Sequence, residues 1–178
     1  MRALTGFAPR GLLAVLLRHG RAYNSGPRSG MTDDHSRINL DYERDNRSPF
    51  QELMGYRLET WSLDYAALTY EILPQHLNRT GRLHGGVLAS LLDTAAGFAG
   101  CHCEVPGEKR TTVTLTLSVN FVAAASVGTL LIEARRTGGG RSVFFADATV
   151  KDAEGRLIAT GSGSFKYLVD RTKAPDAR

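Results

Sequence analysis

Residues 78–100, NRTGRLHGGVLASLLDTAAGFAG, decide how this chain is read. A polar loop gives way at His84-Gly85-Gly86 to a stretch in which Leu88, Leu91, Leu92, Ala95 and Ala99 recur at helical spacing. Ala89, Ser90, Ala95, Ala96, Gly97, Ala99 and Gly100 make the helix thin. A glycine inside a helix costs about 1 kcal/mol relative to alanine. Gly97 and Gly100 therefore point to a neighbouring sheet that lies close enough to offset the loss. Asp93 is the one charged residue between Arg82 and Glu104, in the middle of the apolar run. A lone carboxylate there is costly unless it is satisfied or used.

The first turn of a helix presents free N–H groups and a partial positive charge. Gly85 and Gly86 have no side chains to keep a ligand from those donors. Asp93 follows Gly86 by seven residues, so the two share a face but stand about 10 Å apart along the axis. One carbonyl group cannot touch both. If both act on one atom, they come from two copies of the helix. An antiparallel pair across a twofold axis brings the glycine N–H of one subunit to the aspartate of the other. On that condition the spacing predicts a site shared between subunits.

Outside the helix the pattern is that of strands. Val113, Leu115, Leu117, Val119 and Phe121 alternate with Thr112, Thr114, Thr116, Ser118 and Asn120, which predicts a strict period-two strand with one apolar and one polar face. Further strands are expected at 130–137, 142–151 and 156–168, with Gly138-Gly139-Gly140 as a tight turn and Ala153-Glu154-Gly155 as a hairpin turn. Upstream, 49–54 reads as a short helix turn ending at Gly55, followed by strands over 56–61 and 65–73 around a turn at 62–64. A loop is expected at 106–109. Two strands, one long helix and four more strands suit an α+β fold, an antiparallel sheet wrapped around one long central helix.

The chain has 178 residues, 42% hydrophobic, enough for one domain, expected at 49–170. Residues 1–30 form an N-terminal extension, 31–48 a flexible polar segment and 171–178 a tail. The first thirty residues hold five arginines and no acid; removing those five from the 22 Lys and Arg leaves 17 against 18 acidic residues. The basic balance belongs to the extension, which removes the simplest argument for nucleic-acid binding. No run of eighteen apolar residues is present, so no membrane span is expected. The extension reads either as an over-long start, with Met31 opening a cytoplasmic protein, or as an Arg-rich transit peptide to the mitochondrial matrix. Cys101-His102-Cys103 is too small alone for a metal site, no metal ligands are expected, and two reduced thiols fit an intracellular compartment. Gly138-Gly139-Gly140-Arg141 is not a phosphate loop, because no helix follows it.

The run Asn78-x-x-Gly81-x-x-His84-Gly85-Gly86, followed by Leu92-Asp93, resembles the hotdog-fold acyl-CoA thioesterases and most of all their phenylacetate-degradation subfamily, over roughly residues 49–168. The resemblance implies the hotdog fold and a homodimer or homotetramer with sites at the subunit interface. It implies hydrolysis of an acyl- or aryl-acyl-CoA to free acid and CoA, with no cofactor. Carried over residue by residue, Asp93 attacks the thioester carbonyl or activates a water. Gly85 supplies the N–H that polarises the C=O. Asn78 orients the water or thioester, Thr114 is the water-holding hydroxyl, and His84 fixes the loop. Gly86, Thr94 and Arg141 are expected to meet the substrate, Arg141 through a CoA phosphate. The acyl group is expected in an apolar groove shaped by Leu88, Leu92 and Phe98. On residues alone the plainer readings stand beside these: a satisfied Asp93, a helix-start Gly85, a turn-forming Asn78, an ordinary strand Thr114 and a solvated Arg141. Two other functions fit the same fold. One is a non-catalytic acyl-CoA-binding protein, against which Asp93 and Asn78 argue. The other is an enoyl-thioester hydratase, which uses an Asp/His pair placed differently.

Overall fold

A computed structural model describes residues 32–103 and 110–168. The extension, the loop at 106–109 and the tail at 171–178 lie outside those residues. Two helices, α1 (Thr32–Asp45) and α2 (Pro49–Met54), precede strands β1 (Arg57–Ser62) and β2 (Tyr65–Glu71). The long helix α3 (Gly85–Cys101) follows, then β3 (Thr112–Phe121), β4 (Thr129–Gly139), β5 (Val143–Asp152) and β6 (Leu157–Tyr167). The six strands form one antiparallel sheet in the order β1-β2-β4-β5-β6-β3, and α3 packs against it.

The thin helix is matched to a close sheet. Leu88, Leu91, Leu92, Ala95, Ala96, Ala99 and Gly100 are buried against Leu58, Leu68, Tyr70, Ile132, Phe144, Ile158 and Phe165. A Cβ added at Gly100 would lie 2.1 Å from the Phe144 ring, and one at Gly161 of β6 would lie 3.3 Å from Leu92 Cβ. Leu88 and Leu92 therefore serve the core. They do not shape a groove, because side chains this deep in the helix–sheet interface are closed to ligand. Helix ends leave carbonyls without intrahelical partners. Here Trp61 Nε1 donates to Phe98 O at 2.7 Å and the Tyr167 hydroxyl donates to Gly100 O at 2.8 Å.

Three sequence expectations change. Residues 31–48, expected to be flexible, carry α1. Its Arg44 guanidinium donates to Leu58 O at 2.8 Å and Glu59 O at 3.1 Å, and Asn39 Nδ2 donates to Cys103 O at 2.8 Å. Polar composition concealed this, since hydrogen bonds to backbone carry much of the attachment, beside the packing of Leu40 on the core. The Gly138–Gly140 turn is also shifted: β4 continues through Gly139, whose φ of 126° suits glycine, and the hairpin closes with Gly140 N donating to Val143 O at 2.7 Å.

The third change bears on the site. β3 does not keep one parity. Its register on β6 shifts between Thr114 and Thr116, leaving Leu115 as a bulged residue. Before the bulge, Thr112 and Thr114 pair with Tyr167 and Phe165, whose side chains lie under the helix. After it, Val119 and Phe121 pair with Gly161 and Ala159 and take over the helix-facing side. Thr116 and Ser118 point to the other face, opposite Ser164 and Ser162. The bulge thus turns a threonine toward α3 on a strand whose later residues present apolar groups there.

Gly100→Ala follows as a test of the close approach. Overpacking a filled core costs about 1–3 kcal/mol, and the helix-propensity gain of about 1 kcal/mol offsets only part of it. A urea titration is expected to show a lower midpoint for the variant, with the slope unchanged.

Candidate active site

Asp93 sits near the middle of α3, at the border between its buried and open faces. The Thr114 hydroxyl donates to Asp93 Oδ1 at 2.8 Å. That bond joins the central helix to the end strand of the sheet and explains how a carboxylate survives in the apolar run: it is half-buried and partnered. With Oδ1 held, Oδ2 is the oxygen left to accept a proton from another group.

The second part of the site lies at the start of the helix. The loop that leads there is closed on itself. Asn78 N donates to Arg82 O at 2.7 Å, His84 N to His76 O at 3.0 Å, and Leu83 N to Ala125 O at 2.8 Å. The Tyr70 hydroxyl meets His76 Nδ1 at 2.5 Å, tying the loop to buried β2. His84 caps the helix, its Nδ1 accepting from Gly86 N at 2.9 Å. Gly86, expected to meet the substrate, thus has its N–H committed to His84. Gly85 N–H donates to no group among the described residues, and the Phe121 ring stands beside it, 3.2 Å from where a Cβ would be. Asn78 is held as a turn former: its Oδ1 accepts from Thr80 N, Thr80 Oγ1 and Arg82 N at 2.8–3.1 Å. Within one chain the structure brings Asp93 and Thr114 together, and separately His84, Gly85 and Asn78. It does not join the two sets, since eight residues of helix between Gly85 and Asp93 span about 12 Å.

Along the C-terminal half of α3 lies an open cavity of about 290 Å³, lined by Thr94, Phe98 and Cys101 of α3 with Trp61, Glu43, Arg110 and Thr111. The Trp61 and Phe98 rings meet edge-on at 5.4 Å. Thr94 faces the cavity near the Tyr56 hydroxyl, whose pKa burial raises. Sequence reasoning missed Trp61 as a neighbour of this cavity; the one available signal was the lone tryptophan of the chain on a loosely alternating strand. Arg141 is placed elsewhere. It is exposed in the β4–β5 hairpin, with β6 standing between that hairpin and β3. Among the described residues no three His, Cys, Asp or Glu side chains converge as metal ligands, and no helix is long and apolar enough to cross a membrane.

Residues 80–159 match the sequence profile of the thioesterase superfamily. An esterase-named protein of Pseudomonas aeruginosa is 36% identical over 92 residues, 51% of this chain and 66% of that protein, so the chain spans just under two thirds of that relative. An esterase-named protein of Halobacterium salinarum is 32% identical over 107 residues, 57% of this chain and 70% of that one. Neither name gives a substrate. Among solved structures, the E. coli PaaI protein from the phenylacetic acid degradation operon superposes with a TM-score of 0.66 over 76% of this chain and 96% of its own, at 18% identity, a likeness of fold.

Burial pushes the Cys101 thiol at the cavity wall from its ordinary 9.0 up to about 12. The unfolded chain ionises this thiol near 9.0 while the folded chain keeps it protonated to about 12. Its contribution to stability is therefore complete below that window and is lost as pH rises through it. Urea midpoints measured from about pH 8 to about pH 11 are expected to fall, and to fall less steeply in Cys101→Ala.

Proposed function

The chain belongs to the thioesterase superfamily, and from that premise we propose that it hydrolyses the thioester of an acyl- or aryl-acyl-CoA to the free acid and CoA, at a site assembled by two subunits. The observation that carries this reading is the split of the site. A carboxylate held by Thr114 lies toward one end of β3, and an N–H without an acceptor lies beside Phe121 at the other end.

The sheet has two edge strands, and they are treated differently. The β1 edge is occupied by Arg44, which donates to the Leu58 and Glu59 carbonyls, and it is bulged between Leu58 and Thr60. Both devices discourage further pairing. The β3 edge has no such cover among the described residues, and Val113, Leu115 and Phe121 stand 43%, 51% and 58% exposed along it. A strand with an open edge and apolar side chains pairs readily with another. Pairing β3 with its own copy, antiparallel about a twofold axis, sets the Thr114 end of one strand against the Phe121 end of the other. Gly85 of one subunit then approaches Asp93 of its partner. A homodimer is thus the unit that completes the site, and dimers of dimers remain compatible with it.

In the completed site the partner's Gly85 donates its N–H to the thioester oxygen. Asp93 Oδ2 takes a proton from a water, and the resulting hydroxide attacks the carbonyl carbon. The tetrahedral oxyanion is held by the Gly85 N–H and the helix N-terminus. Collapse breaks the C–S bond. The thiolate of CoA leaves and takes up the proton, and the acid is released. Thr114, having donated its hydrogen to Asp93, offers its oxygen to the same water. Its bond holds the carboxylate in the orientation this transfer needs.

Thiol release from a panel of acyl-CoAs tests the reading. Asp93→Asn is expected to lose at least about a hundredfold in kcat/KM, close to 3 kcal/mol of transition-state stabilisation, with its unfolding midpoint little changed. Equal turnover in both proteins would make Asp93 structural and remove the mechanism.

A further inference from the structure

The N–H that the proposed reaction uses is held in place by two side chains that stand behind it, a role that rests on the hydrolase reading above. We propose that Tyr70 and His76 are positioning residues for the Gly85 N–H. Because that donor serves the carboxylate of the other subunit, the pair governs turnover in the site of the opposite chain.

The peptide that carries this N–H joins His84 to Gly85. Its carbonyl accepts from Val87 N at 3.0 Å and Leu88 N at 3.4 Å. His84 itself is held twice: its N–H donates to His76 O at 3.0 Å, and its Nδ1 accepts from Gly86 N at 2.9 Å. Where His84 sits decides where the donor points, and His84 is bonded to His76. His76 ends the 3-10 turn Pro74–His76, which is exposed at Pro74 and Gln75. Three residues of 3-10 helix hold themselves weakly. The turn is fixed from inside by the His76 ring, which meets the Tyr70 hydroxyl through Nδ1 at 2.5 Å and stacks on the Tyr70 ring, 5.9 Å between centroids. Tyr70 is 1% exposed and belongs to the core, on a strand paired on both sides. The relay thus runs from the sheet through two histidines to the first turn of α3.

Packing alone does not ask for this pair. Leu68 and Ile72, which flank Tyr70 on the same face of β2, are aliphatic and buried. A buried hydroxyl needs a partner, and the bond it makes has a direction that apolar contact lacks. Direction matters for an oxyanion donor, which acts by being fixed before charge develops. A shift of about 1 Å in such a group can cost about a hundredfold in rate. Loosening a donor that is used in the transition state lowers kcat and leaves KM nearly unchanged.

Tyr70→Phe keeps the ring and removes the hydroxyl. Its kcat for thiol release is expected to fall about tenfold, with KM within about twofold of wild type. His76→Ala is expected to lose as much. His76→Asn, whose Oδ1 stands where Nδ1 stood, recovers most of the loss, and the His76 variants carry the same readings if Tyr70→Phe does not fold. Subunit mixing reads what a loss of stability does not move. Refolded with Asp93→Asn, Tyr70→Phe is expected to reach about a quarter of wild-type release, since the mixed dimer joins an intact carboxylate to an intact donor. Refolded with Gly85→Pro, which lacks that donor, it stays at about a twentieth. Hydrogen exchange gives a readout apart from turnover: the Gly86 amide exchanges about fivefold faster in Tyr70→Phe, while the Leu92 amide keeps its wild-type rate. A wild-type kcat in Tyr70→Phe overturns the proposal. So does a loss confined to KM, a His76→Asn variant as slow as His76→Ala, equal recovery in the two mixtures, or Gly86 exchange that does not change. The readings fail separately. If the wild type releases no thiol from any acyl-CoA, the hydrolase reading falls and Gly86 exchange decides whether the pair holds the helix start. If Gly85→Pro and Asp93→Asn do not complement each other, the shared site falls and with it the crossing to the opposite chain, while the kcat loss and its rescue decide the positioning role.

Discussion

How closely α3 can lie on the sheet is the constraint from which the rest of this structure follows. The buried face of the helix is built from leucines, alanines, Gly100 and Cys101, and Phe144 fills the space that a side chain at Gly100 would need. Sheet and helix thereby form a tightly packed interface. Asp93 sits at the margin of that interface, where one oxygen is held from the sheet by Thr114 and the other side stays open. A bulkier helix would lift the carboxylate away from β3, and the bond that positions it would go.

The bulge at Leu115 completes that placement. A strand of perfect alternation cannot offer a threonine to the helix at one end and apolar side chains to it at the other. One extra residue changes the parity, so Thr114 reaches Asp93 while Val119 and Phe121 pack inward further along. Extra residues of this kind recur beside active sites because they re-aim a single side chain without breaking the sheet.

The sequence made the helix, its start at His84-Gly85-Gly86, the alternating strands and the isolated Asp93 plain, because each rests on local periodicity or on one residue out of place in its surroundings. Helical spacing also placed Gly85 too far from Asp93 for one chain to use both, which is what the structure gives. The bulge was hidden, since Thr112–Phe121 alternates without a break and only pairing with β6 shows where the register slips. Helix α1 was hidden because it attaches through Arg44 and Asn39 to backbone carbonyls, which leave no trace in a hydropathy pattern. Leu88 and Leu92 were assigned to a groove since periodicity gives a stripe but not which neighbour covers it. Trp61, remote in sequence, meets the helix from β1, where its Nε1 donates to Phe98 O. Asn78 is a turn former within one chain, its Oδ1 fully engaged in the loop, and its amide nitrogen is the part left for another role.

Whether two subunits share each site is tested directly by mixing inactive variants. Gly85→Pro removes the one N–H in question at a position where proline suits the first turn, and the extended backbone of His84 accommodates a following proline. Asp93→Asn removes the carboxylate. Each alone is expected to be inactive. Unfolded together and refolded as a mixture, half of the dimers carry one of each chain, and each of those holds one intact site of its two. The mixture should recover about a quarter of wild-type thiol release. A mixture as inactive as its parents, with mixed dimers shown to form by native mass spectrometry, would contradict the shared site and place the whole chemistry within one chain.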